Sequence, residues 1–413
     1  MRDQLVCGAL AAGLALSALV AGCRRETFPV VTDNPTGNAA RGAELAVRFE
    51  CARCHTFAEA AHVTVKPEKD CVGCHENIMQ GRLEAAPEAI AKWQPIVKDL
   101  RYTPTLAAAS RLRSDWLEAF LLKPHDVRPG LVMTMPRLGI SPDEARDLTA
   151  YLKAQGAAPS PAPVAKGDAE KGKQLLTSKG CMTCHRFTGG PPLAVGPLTV
   201  SVAPEKLAPA MVLAPDLRYA RDRLAPSTLA AWLRKPSAVK ATTMPDIPLT
   251  EDEVTALTTV LLTAPLAPVT ASAFARLPVL SRPVRFDEVN AKVFHRTCWH
   301  CHSEPDFAIG DGGPGNSGGF GFLARGVDLS SYQGVMAGFF EVPPTKTEPG
   351  KRKSLAAATK DGLPRLVASL VARHGEEAGQ NTGEVRGMPL GLPPLGAEDI
   401  QLVESWMAQG RPR

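Results

Sequence analysis

The chain has 413 residues, a formal net charge of +5 and a mean hydropathy of −0.07, enough for about two to four domains. This composition excludes wholesale disorder and a multispan membrane protein. With no block of basic residues, it also argues against a nucleic-acid partner. Aromatics are only 5% and prolines number 37, so apolar bulk must come from elsewhere, and a bound macrocycle would supply it.

In chain order, residues 1–22 read as a secretory signal: Arg2 precedes an apolar stretch, Leu5 to Val20, too short and too rich in Ala and Gly to span a membrane. The segment ends Leu19-Val20-Ala21-Gly22-Cys23, which resembles the lipobox of bacterial lipoproteins. The resemblance implies a lipidated Cys23 and a firm membrane anchor; the alternative is a plain signal peptide. Arg24 stands where an Asp often retains lipoproteins in the inner membrane, which favours the outer membrane. The expected protein is exported to the periplasm and lipid-anchored, with residues 23–38 as its tether.

Cys7 leaves with the signal. The remaining eight cysteines form four pairs, each followed at once by histidine: Cys51-Ala-Arg-Cys54-His55, Cys71-Val-Gly-Cys74-His75, Cys181-Met-Thr-Cys184-His185 and Cys298-Trp-His-Cys301-His302. Composition alone would give roughly 0.005 such motifs. In c-type haem attachment two thiols add to the vinyl groups of one porphyrin and the adjacent His reaches its iron. Structural zinc is the alternative, but a zinc ribbon does not require His after every pair, and the gaps between motifs do not suit one. The expected cofactors are four covalently bound haem c groups, each with its iron.

Linkers at 157–166 and 265–283, rich in Pro and Ala, divide the mature chain into units 39–156, 167–264 and 284–413. The first two repeat one pattern. Pro104-Thr-Leu106, Leu117 to Pro124, Met135-Pro136 and a capping box at Ser141 and Glu144 correspond to Pro215-Asp-Leu217, Leu229 to Pro236, Met244-Pro245 and a capping box at Thr250 and Glu253. Apolar-periodic stretches then run to Leu152 and Leu262. Helices joined by Pro/Gly loops are expected, with no alternating strand pattern.

These units resemble class I cytochrome c domains. The resemblance implies an all-α fold of three tandem helical domains, the first with two haems and the third divergent. It also implies an entry helix running into each motif, a methionine on the distal side of the iron, and a C-terminal helix crossing the first. The entry helices would be Arg41 to Phe49, Ala169 to Leu176 and Phe286 to Phe294, and the last helix Glu398 to Gln409. His55, His75, His185 and His302 become proximal ligands, and Met135, Met244 and Met388 distal ones.

One Met-Pro loop must serve two haems in the first unit. Val63 to Asp70 contains Pro67 and is no entry helix, so Met135 is assigned to the haem of His55. His62 is assigned to the haem of His75. The swapped assignment, a five-coordinate haem, and Met79 stay open. His125 is read as a loop or propionate-contacting residue and Met133 as packing. In the third unit Met388 competes with His374 and Met336. His295 and His300 lie too close to the attachment loop to reach over to its distal face. Gly310 to Gly321 reads as a surface insertion and Lys351 to Lys353 as a solvated cluster.

Each ferric haem c carries roughly −1, which brings the formal +5 to about +1. Docking should therefore rest on local patches. The expected function is electron transfer between redox protein partners, with the membrane engaged only through the lipid anchor and no small-molecule substrate required. The rivals are a haem peroxidase or small-oxyanion reductase with one open iron at Cys71, and a cytochrome subunit of a larger respiratory complex.

Overall fold

A computed structural model describes residues 26–58, 63–131, 135–157, 160–269, 274–303, 320, 325–378, 380 and 384–413. Cys23, His62 and Met133 lie outside these residues, as does the Gly310–Gly321 run apart from Phe320. The chain is mostly helical. In order, it forms β1 (Thr27–Phe28), α1 (Ala39–Arg48), α2 (Cys71–Met79), α3 (Pro87–Val97), α4 (Ser114–Leu122), α5 (Pro142–Lys153) and β2 (Val164–Ala165). Next come α6 (Ala169–Ser178), α7 (Pro204–Leu213), α8 (Ala220–Arg223), α9 (Pro226–Arg234), α10 (Pro236–Val239) and α11 (Glu251–Thr263). The last stretch holds α12 (Phe286–Val289), a π-helix (Asn290–Cys298), α13 (Tyr332–Ala337), β3 (Phe339–Val342), β4 (Lys351–Lys353), α14 (Arg365–Glu377) and α15 (Ala397–Ala408).

Buried apolar side chains gather in three large clusters and a small one. The first joins Ala46 and Phe49 at the end of α1 to Leu148, Tyr151 and Leu152 of α5. The second joins Leu175 and Leu176 of α6 to Val254, Leu257 and Val260 of α11. The third joins Phe286, Val289 and Phe294 to Val403 and Trp406 of α15. Each fully buried side chain of this size contributes about 1.5–3 kcal/mol. The small cluster is Ala368, Ala372 and Val385.

Two helix crossings depend on glycine. A Cβ on Gly42 of α1 would meet the Asp147 carbonyl oxygen of α5 at 2.1 Å, and one on Gly172 of α6 would meet that of Ala256 in α11 at 2.2 Å. Both α5 and α11 begin with reciprocal capping boxes, Ser141 with Glu144 and Thr250 with Glu253, which satisfy backbone donors at the helix start. In the third cluster the fully buried Val289 precedes its first cysteine by the same interval as the two glycines, and the entry helix there widens into the π-helix.

Two features differ from the sequence expectation. Residues read as a free tether are docked: β1 pairs with β2 inside the expected linker, Phe28 is buried in the second cluster, and Asp33 binds Lys153 at 2.7 Å and the Ser114 amide. A second ribbon forms where β3 meets β4. Its Lys351 and Lys353 pair with Glu341 at 3.5 and 3.2 Å. Such ribbons are too short to leave a period-2 pattern.

Candidate functional site: the four Cys-x-x-Cys-His motifs

The first and third motifs are made the same way. After α1 and α6 the chain turns through one left-handed residue, Glu50 (φ 49°) or Gly180 (φ 74°), and winds a single 3₁₀ turn through the first cysteine. His55 and His185 close it by donating their amides to the carbonyls of Cys51 and Cys181, at 3.0 and 3.1 Å. Gly adopts this backbone freely; Glu50 does not, and it is held by side-chain partners, Lys69 at 2.7 Å and Arg53 at 3.4 Å. The second motif instead opens α2, capped by Asp70, whose carboxylate accepts the Gly73 amide at 2.8 Å. The fourth continues from the π-helix, with His302 donating its amide to Cys298 at 2.9 Å.

The Nδ1 of His302 is buried without a hydrogen-bond partner among the described residues. The other three histidines turn Nδ1 to a backbone carbonyl: His55 meets Pro104 at 2.8 Å, His75 meets Leu100 at 3.0 Å and His185 meets Pro215 at 2.7 Å. A carbonyl can only accept, so the proton sits on Nδ1 and Nε2 keeps its lone pair for a metal. Burial lowers the pKa of each of these rings, which keeps them neutral, as a ligand must be.

The motifs at Cys51, Cys71 and Cys298 open into one mostly apolar cavity of ≈ 1790 Å³, lined also by Met135 and Met388. Pockets for single drug-sized ligands measure about 300–1,000 Å³. The attachment cysteines lie close together inside it. Cys54 and Cys71 interact through their thiols, which with the Arg53 guanidinium lowers Cys71 to about 7, against its burial. Burial pushes Cys301 up to about 11, with Cys71 adding to the rise. Burial likewise carries Cys51 and Cys298 to about 12.

Arg53, only 4% exposed, binds the first two motifs together: its Nε donates to the Lys69 carbonyl at 3.2 Å. His374 and Met336 do not line this cavity. His374 stacks on Phe274 at 3.7 Å with Nε2 on the Leu395 carbonyl, and Met336 is on the surface. Met79 does not line it either.

The third motif has its own cleft, where Cys181, Leu233, Met244 and Leu257 border a space of ≈ 20 Å³. Trp232 Nε1 donates to Met244 Sδ at 3.1 Å. A macrocycle there has to part these walls, although the thiols, the oriented His185 and the methionine are all in place.

Arg111, Arg128, Arg223 and Lys240 gather between the first and second motifs' unit and the third motif's unit. Burial lowers all four, Arg111 to about 10, Arg223 to about 9 and Lys240 to about 8; repulsion within the cluster adds to the fall of these three, while Asp126 offsets part of it at Arg128. None of them is ion-paired among the described residues, and the Nε atoms of Arg111 and Arg223 are buried without a partner. His125 beside them, packed on Phe120 and Tyr219, also buries an unpartnered Nε2. Unpaired buried cations are costly, and Arg128 is near enough to His55 to depress its pKa. The donors of this cluster suit the carboxylates of a porphyrin. The residues present therefore fit haem: paired thiols, an oriented imidazole, an apolar chamber and cations lacking anions.

No family model, curated protein or solved structure matches this chain. Sequence reasoning had singled out the repeat of Pro104 and Pro215 without its role, which is to orient His55 and His185. It missed the cationic cluster, because Arg111, Arg128, Arg223 and Lys240 are scattered in sequence. It also missed the placement of His300, whose ring centre stands 6.0 Å from that of His75.

Proposed function

We propose that the chain is a tetrahaem c-type cytochrome that carries electrons between redox protein partners, built as three tandem cytochrome c-like helical domains. The observation that carries this reading is the four Cys-x-x-Cys-His motifs, three of them facing one apolar chamber and three of their histidines turning Nδ1 to a backbone carbonyl. Haem, when bound, supplies a one-electron iron couple. The chain's residues hold the thioether positions close together, fix the imidazole tautomers and exclude water from the metal.

Zinc is less well supported: among the described residues no group of three His, Cys, Asp or Glu side chains is placed to hold a metal ion. Export and anchoring through Cys23 belong to the same proposal; among the described residues no helix is long and apolar enough to cross a membrane. A potentiometric titration of the mature protein tests it. Four one-electron centres are expected, and fewer than three would overturn the reading.

A further inference from the structure

We propose that His300 is the second axial ligand of the haem attached at Cys71 and Cys74, lent across the molecule from inside the fourth attachment motif. The inference rests on the haem c reading above and deepens it.

The His75 and His300 ring centres stand 6.0 Å apart with planes tilted by 36°. A histidine–metal bond of about 2.0 Å plus about 1.1 Å from nitrogen to ring centre, doubled, gives about 6.2 Å. The gap is therefore the size of one iron shared by two imidazoles. The orientation of His75 agrees, since its Nδ1 is occupied by Leu100 and its Nε2 is left for the metal.

His300 is held in place from behind. Trp299 is fixed by its Nε1 bond to the Leu329 carbonyl at 3.0 Å and by stacking on His295 at 4.0 Å. The next side chain, His300, faces the large cavity. It is enclosed by protein atoms and yet has open surface, as a wall of an internal chamber does. It makes no hydrogen bond among the described residues. His300 stands between Cys298 and Cys301, too close to that attachment loop to reach over to the distal face of its own haem.

Two consequences follow. The Cys71 haem is closed on both faces and offers no free coordination site to a small molecule. Its iron is also joined to the next macrocycle by a covalent path, from the His300 imidazole through one peptide bond to the Cys301 thioether.

The test compares the mature full-length protein with His300→Ala, His300→Met and His62→Ala. Intact mass counts haems, and low-temperature electron paramagnetic resonance with near-infrared magnetic circular dichroism reads ligation. In wild type one haem in four should be bis-histidine. His300→Ala should keep four haems but turn that one high-spin and able to bind CO when reduced. His300→Met should convert it to histidine–methionine ligation with a raised potential, which decides the matter if the alanine variant assembles poorly. His62→Ala should match wild type. A bis-histidine signal that survives both His300 substitutions, or is lost in His62→Ala, overturns the assignment. Fewer than four haems in wild type overturns instead the reading on which it rests.

Discussion

If Cys181 and Cys184 carry haem as proposed, replacing Trp232 by Phe should lower its potential. The indole Nε1 donates to the Met244 sulfur at 3.1 Å, and the same ring lies under the Arg111 guanidinium at 5.3 Å and the Lys240 ammonium at 5.9 Å. Cations over the ring strengthen the N–H as a donor. A donor on the thioether withdraws electron density from it and so favours the ferrous state. A net neutral hydrogen bond is worth about 0.5–1.5 kcal/mol; for a one-electron couple, where about 59 mV is tenfold, the fall is about 20–60 mV. Phe keeps the ring and most of the packing, so the methionine should stay bound. Spectropotentiometry of the full-length protein measures the shift, and circular dichroism verifies the fold. A potential that rises, or moves by less than about 10 mV, would refute the reasoning.

Arg223→Leu removes one cation of the buried cluster; if a propionate is its partner, the stranded anion should cost about 3–5 kcal/mol, and a variant melting higher than wild type would contradict that placement. Lys240 gives the pH counterpart. Its folded pKa of about 8, below the value of about 10.4 expected unfolded, means the unfolded chain binds more protons between the two, so without a counter-anion stability rises with pH across that window. With propionates in place the melting temperature should be flat from pH 8 to 10.4, and a clear rise would count against them. Gly172→Ala should destabilise by about 1–3 kcal/mol in chemical denaturation, even after the gain of about 1 kcal/mol in helix propensity, because the added Cβ meets Ala256 at 2.2 Å. Gly396→Ala, with nothing within 4 Å of its added Cβ, should cost less, only the part of about 1 kcal/mol that Ala loses to Gly at the N-cap of α15.

What was legible in the sequence is what is encoded locally. Each attachment motif is five consecutive residues, and each capping box at Ser141 and Thr250 spans four, so composition and spacing reveal them directly. The helices α5 and α11 stand within a few residues of where capping boxes and periodicity placed them, and α1, α6 and α15 within a few residues of where the resemblance did. What was not legible depends on distant segments meeting. Phe28 reads as part of a polar tether until β2 closes over it. The strained Glu50 is explained only by Lys69 and Arg53. The approach of His300 to His75 joins two motifs far apart in the chain. The π-helix before Cys298 also leaves no sign in the sequence, because Phe286 to Phe294 has ordinary α-helical spacing.

The tetrahaem reading requires that this polypeptide bear four covalent porphyrins. Intact-mass spectrometry of the purified mature protein under denaturing conditions tests it most directly, because thioether-linked haem stays on the unfolded chain. A mass above that of the bare polypeptide and its lipid by four haem equivalents is predicted. A mass equal to that of the polypeptide, or zinc found at the cysteines by metal analysis, would contradict it.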